Sequence, residues 1–359
     1  MNLKQIGGSS SAIALFLSLF PLSAKSLSFH RCYQPVVTTT TSLRTTSLLF
    51  VRRMVSSDPI AQEESSAKEP LHPKDYKPVH IYPYKIDIEA LQANGQYATV
   101  KRFHVVRHAE GTHNVNQAYK DIANLDARLT GLGKEQCNQL AQTLEKAQAK
   151  IDQSCPHYRL HQHTELIVTS PLTRCMETTM LSFPKLTSAI KTDPNKIPFV
   201  AHESIRETVN YASDRRRAIS ELEKDFHERI CFREIEHDHD EIWDSYLKRV
   251  GPPEEYGAHR ESAELHKVAD RARNFFRWVR RRPEKEIVVC THSAFLRCFL
   301  NFGLPGGVPL LMSQILDDRE NVDKEIPVVE YYGDLDFEDY MRGDYDNCEL
   351  RSFVAAFPH

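Results

Sequence analysis

Several patterns that would settle the class of this chain at once are missing from it. None of its eight cysteines stands in a Cys-x-x-Cys pair, so the usual zinc-ligand spacing is absent. Cysteines scattered along 359 residues do not make the framework of a small disulfide-stapled domain either. Basic residues do not outnumber acidic ones: the net charge is −3, which excludes a whole-chain basic signal for nucleic acid. No internal repeat or low-complexity run interrupts the chain after Ile81. Finally, no Asp or Glu occurs before Asp58.

That acid-free start has a structure of its own. Lys4 precedes an apolar run from Ala12 to Leu22, broken by Ser18 and Pro21 and followed by the small residues of a cleavage site. The layout is that of a signal peptide, and the run is too short to span a membrane comfortably. From Ser26 to Arg53 the chain is rich in Ser and Thr and dotted with Arg31, Arg44, Arg52 and Arg53, as in a transit peptide. We therefore expect residues 1–57 to be a targeting segment, to a plastid through the secretory route. The alternatives are the secretory pathway itself, or a cytoplasmic protein with a disordered basic tail or a start at Met54. Residues 58–80 are polar and contain Pro, as a linker does. Residues 81–359 remain, roughly 280 residues and enough for one large α/β domain. After processing, no membrane association is expected.

Within that domain three segments share one grammar, a short apolar strand, a polar turn and a helix-like stretch. They are Phe103 to His108 followed by Ala109 to Asn114, Leu166 to Ser170 followed by Pro171 to Arg174, and Ile287 to His292 followed by Ser293 to Arg297. Short β-branched runs bounded by turn residues suggest buried strands. Between them, Thr130 to Gln148 and Ser262 to Arg282 carry apolar residues at helical spacing. Alternating strands and helices imply an α/β fold, a three-layer αβα sandwich with a mostly parallel central sheet. Ligands of such sheets bind at the carboxyl ends of the strands, where His108, Arg174 and His292 would meet.

The chemistry of that meeting is phosphoryl transfer. An imidazole near neutrality keeps one nitrogen free, so His108 can accept a phosphoryl group. Arg107 and Arg174 would hold its oxygens, because guanidinium stays charged and pairs bidentately with phosphate. His292 would donate to the same oxygens as an imidazolium. The backbone N–H groups of Ser293 and Ala294, opening a helix, would add donors and a favourable dipole. Glu207 is the candidate proton donor for the leaving oxygen, in competition with Glu203 and Glu110. Asn114, Arg215 and Ser293 are candidate substrate-binding residues, although Asn114 can equally cap a turn and Arg215, with Arg216, can be a solvated patch.

The run Arg107-His-Ala-Glu-Gly111 is similar to the Arg-His-Gly signature of the histidine phosphatase superfamily, and its extension to Asn114 resembles the plant and fungal phosphoglycerate-mutase-like branch. Further pieces follow in order: Leu129-Thr-Gly-Leu-Gly133, Thr169-Ser-Pro-Leu-Thr-Arg174, Glu203-Ser-Ile-Arg-Glu207, Asp214-Arg-Arg-Arg217, Asp240-Glu-Ile-Trp243 and Thr291-His-Ser-Ala-Phe-Leu296. The resemblance spans Val100 to Phe302. It implies a phosphoglycerate-mutase-like fold, a phosphate pocket of Arg107, His108, Arg174 and His292, and Glu207 as the acid. It also implies neither metal nor organic cofactor. The expected activity is a phosphatase acting on a small phosphorylated metabolite through a phosphohistidine. A mutase that returns the phosphoryl group to substrate is the first alternative, and a non-catalytic phospho-ligand scaffold the second. The sequence carries no sign of oligomeric state.

Two places depart from the pattern. Ala109 replaces the glycine after the nucleophile, and its methyl would crowd the phosphate if that backbone needed a positive φ. The chain beyond Leu304 matches nothing placed so far; its Tyr331-Tyr332 pair and its acidic stretch through Asp346 suggest a cover for the sheet edge or a lid. The alternating His237-Asp-His-Asp-Glu241 run reads as a solvated acidic loop rather than a metal site, and Cys175, Cys290 and Cys298 as inert core residues.

Overall fold

The computed structural model describes residues 76–149, 156–188, 193, 196–226, 228–252, 261, 264–307 and 326–359. The expected targeting segment lies outside them, as do the linker through residue 75 and the acidic part of the tail within 308–325.

Among the described residues seven strands form one sheet in the order β4-β3-β5-β2-β7-β1-β6. The strands are β1 (Val79–Pro83), β2 (Tyr97–Arg107), β3 (Leu166–Thr169), β4 (Phe199–Ala201), β5 (Glu286–Thr291), β6 (Val329–Tyr331) and β7 (Leu350–Pro358). Every pairing is parallel except the two made by β7. The fold is thus an α/β sandwich with a mostly parallel sheet. It begins a little before Ile81, because Tyr76 and Val79 already lie in the core.

Alternation along the strands divides the core in two. Phe103, Val105, Leu166, Val168, Ile287 and Val289 turn to one face; Val106, Ile167, Val288 and Cys290 turn to the other. A period of two puts successive side chains on opposite faces, so a sheet buried on both reads as a continuous apolar run. The first face is covered by α8 (Leu265–Arg281) and α9 (Ser293–Asn301). Along α8 the buried residues Val268, Ala269, Ala272, Phe275, Phe276 and Val279 fall three or four apart, as one helix face requires. The second face is covered by α2 (Gly131–Ala149), α3 (Pro156–His163), α4 (Thr173–Ser182) and α6 (Ile219–Phe226), which contribute Leu144, Leu160, Met176 and Leu222. Short helices α1 (Ile88–Ala93), α5 (Pro184–Thr187), α7 (Glu241–Val250) and α10 (Leu335–Arg342) complete the set.

Of the described residues beyond Leu304, β6, with Tyr331, forms the sheet edge beside β1, in keeping with an edge cover; residues 308–325 of the expected cover or lid lie outside the described residues. Residues 350–358 run as β7 through the middle of the sheet, antiparallel to β1 on one side and β2 on the other. The turn before β7 braces the end of β2: Cys348 N–H donates to the carbonyls of Arg107 (3.1 Å) and His108 (3.3 Å). Asn347 Nδ2 adds a bond to His108 O at 3.0 Å.

Helix α2 enters the structure against the backbone that follows β2. A Cβ added to Gly133 would lie 2.1 Å from Glu110 O, whereas one added to Gly131 would meet nothing within 4 Å. Gly133→Ala should therefore force α2 off the Glu110 strand end and cost about 1–3 kcal/mol of stability. Gly131→Ala should change stability by less than about 1 kcal/mol. Urea unfolding of the two variants checks the contrast, and equal midpoints would refute the close approach.

Candidate active site

The parallel register of β2 and β5 puts Arg107 beside Thr291, so His108 and His292 leave the sheet as neighbours. Their ring centroids are 5.0 Å apart, and the His108 N–H is anchored on Thr291 O at 2.9 Å. Both rings are buried. His108 Nδ1 bonds Ala109 O at 2.8 Å, which fixes that nitrogen as the N–H donor and leaves Nε2 as the lone-pair nitrogen. Burial, Arg174, His113 and Arg107 together draw the His108 pKa well below the ordinary histidine range. A neutral imidazole is the form a nucleophile needs.

His292 is drawn toward neutrality before any anion is bound. Burial first, then Arg174 and the imidazoles of His108 and His113, pull its pKa well below the ordinary range, so in the free protein it is neutral rather than an imidazolium. Its Nε2 lies 2.8 Å from Ser170 Oγ and 3.3 Å from the buried thiol of Cys175. Cys175 is buried in the core, as expected, and its thiol lies against this ring.

The two arginines reach the pocket from different elements. Arg107, at the end of β2, gives Nη1 to Tyr345 O at 2.7 Å. Arg174, in the first turn of α4, is fully buried and gives Nη1 to Ser213 O (2.7 Å) and Nη2 to Asp214 Oδ1 (3.2 Å). The Nε of each is buried without a partner. Burying an unpaired guanidinium N–H is costly, although the Nε atoms of Arg102, Arg159, Arg206 and Arg273 share that state elsewhere, so it is the convergence of both guanidinium groups on the histidines that suits an anion. Asp126 holds α4 in place, its carboxylate accepting from Thr173 N at 2.8 Å and from Arg217 Nε at 2.9 Å.

Glu207 meets the start of α9. Its carboxylate accepts from Thr208 N (2.9 Å), Phe295 N (3.2 Å) and Ala294 N (3.3 Å). The Ala294 N–H expected to serve phosphate is therefore engaged by Glu207 in the free protein, and Ser293 opens the helix half-buried beside it. The charge of Glu207 bears on Arg107, which it helps keep protonated against burial. Glu203 is committed elsewhere, bonded to Arg206 Nη1 at 2.5 Å and to Arg216 Nε at 3.1 Å. Glu110 accepts from Thr130 Oγ1 at 2.7 Å.

The expected binding residues are less central. Asn114 is exposed, and its Oδ1 closes a turn by accepting from Gly111 N at 3.0 Å. Arg215 is exposed and lies over the Trp243 ring at 5.9 Å. Arg216 points inward instead, donating to the carbonyls of His237, Asp238 and His239 and so tying down the loop before α7. His237 is exposed and paired with Glu241 at 2.9 Å.

One pocket residue escaped sequence reasoning. His113 is buried with its ring centroid 5.4 Å from that of His108, and its Nδ1 has no partner. Burial, Arg174 and Arg107 lower its pKa to about 2. Its place in the run from Arg107 to Asn114 put it at the pocket mouth, but nothing in the sequence gave it a role of its own there.

A profile of the histidine phosphatase superfamily, branch 1, matches residues 103–195 and 201–312. A phosphoglycerate mutase-like protein of Arabidopsis thaliana is 30% identical over 281 residues, covering 71% of this chain and 84% of that protein. Phosphoglycerate mutase-like protein 1 of the same plant is 29% identical over 71% of this chain and 81% of its own length. Among solved structures, a mycobacterial glucosyl-3-phosphoglycerate phosphatase aligns at 15% identity and a TM-score of 0.34, over 70% of this chain and 92% of that one.

The backbone that carries Glu207 depends on a buried ion pair one residue earlier. Arg206, fully buried, forms a bidentate pair with Asp240 (2.7 Å for each bond) and also holds Asp214 O. Asp240→Asn should strand part of that charge and cost about 3 kcal/mol, the lower end for a broken buried pair because Glu203 remains. Chemical denaturation measures the loss, and a change under 1 kcal/mol would show that Glu203 alone suffices.

Proposed function

This chain belongs to the histidine phosphatase superfamily, and within it we propose a phosphatase that hydrolyses small phosphomonoesters through a phosphohistidine on His108. The observation that carries this reading is the state of His108: neutral, with Nδ1 tied to Ala109 O, beside His292 and under the charge of two arginines with unpartnered Nε atoms.

In this reading His108 Nε2 attacks the phosphorus in line with the ester oxygen. A P–N bond forms as the P–O bond to the alcohol breaks. Arg107 and Arg174 hold the equatorial oxygens, and His292 contributes a neutral donor. Such preorganised donors act where charge develops in the transition state. Glu207 relays a proton from the incoming phosphomonoester monoanion to the leaving oxygen, then takes one from the water whose attack breaks the P–N bond and releases inorganic phosphate. The choice of Glu207 is supported by the engagement of its two rivals, Glu203 with arginines and Glu110 with Thr130. Entry of a phosphoryl group would compete with the Glu207 carboxylate for the Ala294 and Phe295 N–H groups and so release it toward the leaving group. Arg215 and Ser293 would then meet the rest of a small phosphorylated metabolite, with nucleic acid neither required nor favoured.

Two outcomes are expected. Brief incubation with a labelled phosphomonoester, quenched in alkali, should trap acid-labile phosphate on the protein, and His108→Ala should abolish both label and turnover. Label persisting in that variant would rule out His108. Secondly, Glu207→Gln should slow alkyl phosphates by about 10²–10⁴-fold and an activated aryl phosphate far less, since the aryl group departs without protonation. Equal losses on both substrates would remove Glu207 from the acid role. Phosphoglycerates decide the remaining issue, suggested by the relatives' names. Primer-dependent isomerisation outrunning phosphate release would favour a mutase, and phosphate binding with neither activity would leave a scaffold.

A further inference from the structure

His113 occupies a costly position that nothing inside the protein explains. It is 7% exposed, and its Nδ1 is buried with no hydrogen-bond partner. An unsatisfied buried Nδ1 is a cost that an apolar ring in the same space would not carry, so the ring's other nitrogen must do something that an apolar ring could not. The neighbouring backbone also yields room to it: a Cβ added to Gly111 would stand 2.7 Å from Nδ1. With Nδ1 boxed against Gly111, Nε2 is the nitrogen left to meet a ligand.

The groups facing His113 are those of the pocket. Arg107 and His108 come from β2, and Arg174 from α4; His292, past β5, has its own charge state influenced by His113. We propose that His113 is a direct ligand of the transferred phosphoryl group, donating from Nε2 to an oxygen that Arg107 and Arg174 also hold. This rests on the phosphatase reading for where the phosphoryl group sits, but not on turnover. The ring acts as a neutral donor throughout. Burial and the two arginines bring its pKa to about 2. A nearby anion raises a histidine by about 1–3 units, too little to protonate it near pH 7.

The test uses two variants of the full chain, with orthovanadate as the binding probe and an aryl phosphate for kinetics. His113→Phe keeps a ring and removes both nitrogens; His113→Gln returns an N–H near the place of Nε2. We expect His113→Phe to weaken orthovanadate binding and kcat/KM by on the order of 10–100-fold, as for loss of one hydrogen bond to a charged group. Its Tm should be unchanged or higher, since the unsatisfied nitrogen is gone. His113→Gln should recover much of the loss, and the ratio of wild type to His113→Phe should stay flat from about pH 5.5 to 8. A His113→Phe protein that binds orthovanadate within twofold of wild type overturns the inference. So does one whose loss follows a fall in Tm and is not recovered by His113→Gln. Wild type that binds orthovanadate in a His113-dependent way yet hydrolyses no phosphomonoester would sink the phosphatase reading and keep this one. Wild type that does not bind orthovanadate at all would sink both.

Discussion

The parallel pairing of β2 with β5 sets Arg107 across from Thr291, and the site follows from that register. One residue further on, His108 and His292 emerge together at the carboxyl ends of adjacent strands. A slip of one residue would turn each side chain to the opposite face of the sheet. The register is protected because both faces are buried: Phe103 and Val105 on one side and Val106 on the other would all have to change environment at once. The antiparallel insertion of β7 adds a second restraint. Its leading turn bonds the carbonyls of Arg107 and His108 through Cys348 N–H and Asn347 Nδ2, so the backbone at His108 is held before its side chain is considered.

Electrostatics then work with that geometry. Three imidazoles share a buried pocket with Arg107 and Arg174; burial first, then Arg174 for all three and Arg107 for His108 and His113, pushes them toward neutrality. The result is a site whose positive charge resides on guanidinium groups that do not titrate, and whose histidines are free to act as nucleophile or donor. A dry site of this kind needs anchors, or its cations would draw in water or swing outward. Asp214 holds Arg174, Tyr345 O holds Arg107, and the Arg206–Asp240 pair fixes the backbone leading to Glu207.

Much of this could be read from the residues. The three strand-turn-helix segments were legible because buried parallel strands are short apolar runs, and these three end in residues suited to phosphate. Helices α2 and α8 were legible from their periodicity. The central strand β7 was not, since Leu350–Pro358 stands far from its partners in sequence and carries no turn signal tying it to β1 or β2. His113 was hidden for a different reason. Burial of a polar side chain depends on what packs over it, here the rings and guanidinium groups of residues up to 179 positions away, and a single sequence does not display that. The charge of His292 in the free protein was not legible either, because it depends on burial and on Arg174, which a single sequence does not place beside it.

Ala109 is the remaining departure, and its surroundings decide what it means. The residue is fully buried, and it is not among those with positive φ. Its N–H is taken by Thr178 Oγ1 at 3.0 Å, and its side chain packs with Leu129, Cys137 and Cys348. The methyl therefore faces an apolar cluster behind the pocket rather than the space between the histidines and arginines. Burying one methyl group is worth about 0.8 kcal/mol, so alanine here strengthens the support under His108. A glycine would leave that cluster with a gap and the strand end with more freedom. The substitution that most weakened the case for turnover in the sequence thus has a packing reason of its own.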